Sequence, residues 1–370
     1  MRPLPFRLPY IIPVAVVLGV TPFDTMSQST TSVAEAWLAS VKTARPLEVP
    51  DSRGLWEQQR LKIRQQLTQL LGQLPPRPLR PQARLLSRVD RGDYSVEKFE
   101  FDNGAGDQVP GYFLLPKNPA QKVPAILYCH WHGGQYEIGK EELFRTNALP
   151  EPPGPALARK GYAVLAIDAC CFGERNGRGP GGPSEKGGAG EMTASKFNLW
   201  VGRTLWGMMV RDDLIALDYL CSRPEVDVHR IGVTGISMGA TRTWWVMALD
   251  DRPRTGVAVG CLTRYRDLIL SQGLKYHGIY YFVPNMLNHF DTEAVVSLIA
   301  PRPVLFQTGD QDLGSPVVGI RTIENSVKKV FGLYGAEERF TNLIYPGVGH
   351  VYTPEMWTQT LAWLDAHLKS

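Results

Sequence analysis

The chain has 370 residues, 44% of them hydrophobic and 21% charged, so it can bury a large core and has the composition of an ordinary globular protein. Its formal charge of +4 is spread without any long Lys/Arg run, which argues against a nucleic-acid partner. Five cysteines, with Cys170 and Cys171 adjacent, fit free buried thiols in a reducing compartment better than a disulfide framework.

Residues 1–26 form an apolar leader in which Arg2 and Arg7 precede an apolar run over 8–20. The run is too short to span a bilayer, Pro9 and Pro13 interrupt it, and no clear small-residue cleavage site follows. A signal peptide over residues 1–25, giving a secreted or periplasmic protein, and a true start at Met26 both stay open. The cysteines and the missing cleavage site favour the cytoplasm, with no stable membrane span.

Residues 27–84 are expected to be an N-terminal helical extension. A short helix begins near Val33, and a stronger one covers about 55–71, where Leu55, Leu61, Ile63, Leu67, Leu70 and Leu71 recur at helical spacing until Gly72 and Pro75 stop it. The basic residues between Arg60 and Arg91 read as a solvated helix face followed by a Pro-rich connector.

The main domain, residues 85–370, opens with alternating residues over 96–101, a turn at 103–106 and a second strand over 109–115. Buried strands then alternate with helices: strands over 123–129, 162–167, 231–233, 256–259, 303–306 and 343–345, with helices around 156–160 and 205–221. This pattern predicts an α/β fold with a mainly parallel, doubly wound sheet, antiparallel N-terminal strands, the helical extension and cap-like insertions. Two stretches break the series. Residues 176–190 are too glycine-rich for helix or strand, and 263–291 carry Tyr265, Tyr276, His277, Tyr280, Tyr281, Phe282, His289 and Phe290. Both leave carboxyl ends of strands, where ligands sit in such sheets.

The chemistry centres on Gly235-Ile236-Ser237-Met238-Gly239, a G-x-S-x-G pattern between the β-branched stretch 230–234 and a helix predicted over 238–249. A strand that turns sharply into a helix through a serine is a nucleophile elbow, and the glycines leave room for its strained turn. A serine hydroxyl needs a base, and the base needs a carboxylate, in the chain order Ser, acid, His. His350 follows the last strand in a glycine-rich loop and is the candidate base; His130, His132, His277 and His289 compete with it. The acid comes from Gly309-Asp310-Gln311-Asp312, with Asp312 preferred, Asp310 suited to forming the turn, and Asp267 a distant third. Backbone donors for an oxyanion are expected from Met238 and from His132, or failing that Trp131, in the loop His130-Trp131-His132-Gly133-Gly134. Trp131, Tyr280 and Tyr281 are candidate substrate contacts. No cofactor is implied, and His130 and His132 lack the further ligands that a metal would need.

Together the elbow, the HWHGG loop, GDQD at 309–312 and GVGH at 347–350 resemble the α/β-hydrolase superfamily. Residues 168–175 and 206–213 are similar to segments of its dienelactone-hydrolase-like and acetyl xylan esterase-like branch. The resemblance implies Ser237 as nucleophile, Asp312 as acid and His350 as base. It departs from true dienelactone hydrolases, which carry cysteine at the elbow, and so points to ordinary ester hydrolysis. Glu174 and Arg175 are expected to form an ion pair near the site. The leading expectation is a serine carboxylester hydrolase working through an acyl-enzyme on a small-molecule ester, with small acyl or carbohydrate groups. A serine peptidase of the prolyl-oligopeptidase type and a non-catalytic binding protein of the same fold stand as alternatives. No propeller-like repeat precedes the domain, and all three triad positions are filled. The motifs leave the oligomeric state unspecified.

Overall fold

The computed structural model describes residues 32–119 and 121–369, so the expected leader and its signal-peptide question lie outside the described residues. The N-terminal region opens with α1 (Val33–Ala39), capped by Ser32 and Glu35 in a reciprocal box, and continues with α2 (Arg53–Leu70), capped by Ser52. Helix α2 buries Trp56, Ile63 and Leu67, followed by Leu71, against the main body. Leu55 and Leu61 of the expected stripe face solvent instead, because Trp56, not Leu55, leads the inward face. Arg60 and Arg64 also clasp Asp251 at 2.9 and 2.8 Å.

One sheet of nine strands organises the described residues. Its first three strands are β1 (Ala83–Asp90), β2 (Tyr94–Asp102) and β3 (Gln108–Pro116), followed by β4 (Val123–Cys129), β5 (Ala163–Ile167), β6 (Val226–Ile236), β7 (Thr255–Val259), β8 (Val304–Gly309) and β9 (Phe340–Tyr345). The order across the sheet is β1-β2-β3-β5-β4-β6-β7-β8-β9. Pairing is antiparallel from β1 to β5 and parallel from β5 through β9. Strand β1 corrects the expectation of a connector. Nearly all its side chains are exposed, so an edge strand with Arg84 and Arg88 paired to Glu100 and Glu97 carries no buried stripe to betray it.

Helices cover both faces. Helix α3 (Pro153–Arg159) covers one face. Helices α4 (Gly187–Trp200), α5 (Leu205–Ser222) and α6 (Met238–Leu249) cover the other, joined by the short α7 (Tyr265–Leu270), α8 (Thr292–Ser297) and α9 (Val317–Gly332). Helix α10 (Pro354–Leu368) returns to the α3 face. Along β7 and β8, Val257, Val259 and Leu305 point to that face, while Ala258, Val304 and Phe306 point to the opposite one. Two apolar faces on one strand are what a sheet covered on both sides requires. Helix α4 corrects a second expectation: its first turn uses Gly187, Gly188 and Gly190 from the stretch judged too glycine-rich for a helix. Its later residues supply the helix-forming side chains and bury Glu191, Ala194, Ser195 and Asn198. No described helix is long and apolar enough to cross a membrane.

Candidate active site

Strand β6 ends at Ile236 and α6 begins at Met238, so Ser237 alone makes the turn, with φ +59 and ψ −121. Such a conformation costs a non-glycine residue on the order of 1–3 kcal/mol, and the surroundings must enforce it. The Ser237 N–H donates to the Val259 carbonyl at 2.9 Å, and its own carbonyl accepts from Thr241 N–H at 3.0 Å. The flanking glycines are dictated by β4: a Cβ at Gly235 or Gly239 would collide with the Cys129 carbonyl oxygen.

The loops after β8 and β9 are tied to each other. Asp310 N–H donates to the Tyr345 carbonyl at 3.0 Å, Gln311 N–H to the Val348 carbonyl at 2.9 Å, and Gly347 N–H to Asp310 Oδ1 at 2.7 Å. Asp310 therefore spends its carboxylate on the turn. Asp312, 5% exposed, holds the Gly314 N–H with one oxygen at 2.9 Å and faces His350 Nδ1 with the other at 2.7 Å. His350 Nε2 lies 2.9 Å from Ser237 Oγ. Burial pulls the His350 imidazole down, but the hydrogen bond to Asp312 and its charge outweigh this and hold it above the ordinary 6.5.

The other candidates have different partners. Asp267 accepts from Arg264 at 2.8 Å. His130 is fully buried; its Nε2 accepts the Ala169 N–H at 3.0 Å, so Nδ1 carries the hydrogen donated to the Trp131 carbonyl at 2.7 Å. Burial and the nearby Arg242 charge push it well below 6.5, a neutral structural histidine. His277 faces the Gly314 carbonyl at 2.9 Å, and His289 contacts Asn285 at the surface. His130 and His132 do not converge on a common point, since His132 Nε2 faces Glu191 at 2.9 Å.

A cavity of about 500 Å³ opens on Ser237 and His350. Trp131, His132, Cys261, Tyr276, His277 and Tyr280 line it. Tyr281 is not among them: it is buried behind His277, with ring centroids 4.2 Å apart. Of the two expected backbone donors in the β4 loop, the Trp131 N–H is already committed to the buried Glu142 carboxylate at 2.8 Å, which removes it as a donor to substrate. Glu142, Glu191 and Gly260, which lies against His350, had no sequence signal, because each acts through a contact with a different chain segment. The expected Glu174–Arg175 pair does not form. Arg175 turns inward to Asp107 and Asp212, at 2.8 and 2.9 Å, while Glu174 joins Lys140 and Lys98. The three-residue turn over Gly173–Arg175 sends the two side chains to different partners.

Behind the elbow, Arg242 of α6 grips Asp213 of α5 with two hydrogen bonds, at 2.8 and 2.5 Å, both residues being essentially inaccessible. A fork-to-carboxylate pair of this kind fixes the angle between two helices as well as holding them together.

The Abhydrolase family model matches residues 17–323. "Putative hydrolase YtaP" of Bacillus subtilis (strain 168) is 36% identical over 312 residues, which are 84% of this chain and the whole of that protein. Among solved structures, a "putative acetyl xylan esterase" from Bacteroides fragilis NCTC 9343 superposes with a TM-score of 0.65 at 20% identity, covering 84% of this chain and 80% of that one. A glucuronoyl esterase from Solibacter usitatus does so with a TM-score of 0.64 at 16% identity, covering 89% and 99%. At those identities the structural likeness speaks for the fold, and the family match and YtaP carry the assignment: the chain belongs to the Abhydrolase family and has the α/β-hydrolase fold.

Proposed function

We propose that the chain is a serine carboxylester hydrolase acting through an acyl-enzyme on small acyl or carbohydrate esters. The observation that carries this is the continuous relay from Asp312 through His350 to the strained Ser237, open to a cavity. His350 takes the Ser237 proton as Oγ attacks the ester carbonyl, and Asp312 stabilises the imidazolium. The oxyanion is met by the N–H of Met238, in the first turn of α6 where backbone donors have no partner within the helix, and by the N–H of His132. His350 then protonates the departing alcohol, and a water repeats the sequence to release the acid. The esterase names borne by the two structural neighbours are consistent with this chemistry.

Ser237→Ala is expected to abolish hydrolysis of p-nitrophenyl acetate while leaving the circular dichroism and melting curve unchanged. Retained turnover in that variant refutes the mechanism. A panel of acetylated sugars, short aryl esters and lactones then ranks the substrate groups.

A further inference from the structure

His132 is held more firmly than a loop residue needs to be. Its Nδ1 accepts the Gly134 N–H at 3.0 Å, which leaves the hydrogen on Nε2, and Nε2 lies 2.9 Å from Glu191 Oε2. Glu191 comes from α4, 59 residues away, and its side chain is only 4% exposed. Tyr280 stacks on the His132 ring with centroids 4.9 Å apart and planes at 22°, while Tyr136 and Phe172 meet it edge-on at 4.9 and 5.0 Å. Five partners from four separate chain segments thus fix the imidazole.

The same carboxylate reaches the opposite wall of the cavity. A Cβ at Gly278 would come within 2.8 Å of the Tyr280 ring and 3.0 Å of Glu191 Oε1, so this glycine lets the segment carrying Tyr276, His277 and Tyr280 fold back on itself against Glu191. No Lys or Arg lies within ion-pair distance of Glu191 among the described residues; its ion-pair partner is His132, and the Tyr136 hydroxyl also hydrogen-bonds to it. Burying a carboxylate is costly and is offset only by well-placed partners, which here are His132 and Tyr136.

We propose that Glu191 is the positioning residue of the oxyanion hole: by accepting the His132 Nε2–H it locks the tautomer and ring orientation, and with them the direction of the His132 backbone N–H. This rests on the proposed esterase mechanism, in which that N–H is one of two oxyanion donors. An N–H aimed at the tetrahedral oxygen acts chiefly in the transition state, so loosening it lowers kcat more than it raises KM.

Two variants and two readouts test it in the full-length protein. Glu191→Ala is expected to lower kcat for p-nitrophenyl acetate by about 10–100-fold, the range for supporting groups behind a site, with KM changed by less than about threefold. Glu191→Gln, whose amide oxygen still accepts the His132 N–H, is expected to keep kcat within about fivefold of wild type. The second readout needs no turnover. In ¹⁵N-histidine spectra, His132 is expected as the pure Nε2–H tautomer in wild type and Glu191→Gln, and as a mixed or exchange-broadened signal in Glu191→Ala. Wild-type kcat in Glu191→Ala, equal losses in both variants, or an unchanged His132 tautomer in Glu191→Ala each overturns the proposal. A wild type that hydrolyses no ester while its His132 tautomer still depends on Glu191 overturns the esterase mechanism instead and leaves the anchoring intact.

Discussion

The buried Glu142 carboxylate bridges two groups, accepting the Trp131 N–H at 2.8 Å through Oε2 and the Tyr128 hydroxyl at 2.5 Å through Oε1. It joins the end of β4 to the loop that carries His132; among the described residues no Lys or Arg makes an ion pair with it, and the Arg242 charge acts on it only from farther away. Burial pushes this carboxyl up to about 7 from an ordinary 4.5, against the opposing pull of both donors and of the Arg242 charge.

That shift has a definite sign for stability. The folded chain holds the Glu142 proton more tightly than the unfolded chain, so its contribution is complete below pH 4.5 and lost as the pH rises through 7. Above that, the ionised group costs on the order of 3 kcal/mol. Glu142→Gln keeps an acceptor for Trp131 and removes the titration. Urea unfolding at pH 5 and pH 8 is expected to show the variant gaining on wild type at the higher pH; an equal difference at both values contradicts this.

The acid limb of the rate profile follows from His350. Only the neutral imidazole accepts the Ser237 proton, and Asp312 holds His350 above 6.5. In wild type kcat/KM is expected to fall on acidification with a midpoint above 6.5. Asp312→Asn is expected to move that midpoint down and lower kcat about 10³–10⁴-fold. A wild-type midpoint below 6.5, measured on p-nitrophenyl acetate, rules this out.

Gly260 lies at φ +71, and a Cβ there would come within 3.1 Å of His350 Cε1. Gly260→Ala is expected to reduce kcat by roughly 10–100-fold by displacing the ring, in addition to a backbone cost of about 1–2 kcal/mol. Gly92, at φ +87 in the β1–β2 hairpin with open space around it, supplies the control. Gly92→Ala should show a similar loss in melting temperature and an unaltered kcat. Equal kcat values for the two variants would show that His350 has room to spare.

Arg242 and Asp213 are each left buried without an ion-pair partner if the other is removed. Arg242→Met is expected to destabilise by about 3–5 kcal/mol, and the double variant Arg242→Met/Asp213→Leu to recover most of that loss. Chemical denaturation of the two variants decides it, and a double variant no better than the single one refutes the account.

Fold and site were legible to different depths. Helix α6 runs from Met238 to Leu249, the very span predicted from residues 238–249, because the motif, the apolar run and the helix agree locally. The succession of buried strands along the chain was equally readable, since strands buried on both faces announce themselves by apolar runs, whereas the placing of β5 outside β4 in the sheet was not. Strand β1 was hidden because an exposed edge has no apolar alternation, and α4 because its first turn is glycine while its purpose, delivering Glu191, shows only in three dimensions. Arg175 illustrates the remaining limit: adjacency to Glu174 suggested a pair, yet each side chain answers to charges buried from other segments.

The Cys129 carbonyl touches the space reserved by both elbow glycines, and the very next residue begins the loop that bears His132. One backbone oxygen therefore serves as a common datum for the Ser237 turn and for the loop that bears His132. Because Cys129 also pairs with Gly235 across β4 and β6, the spacing between the Ser237 turn and the start of the His132 loop is set by a single strand register.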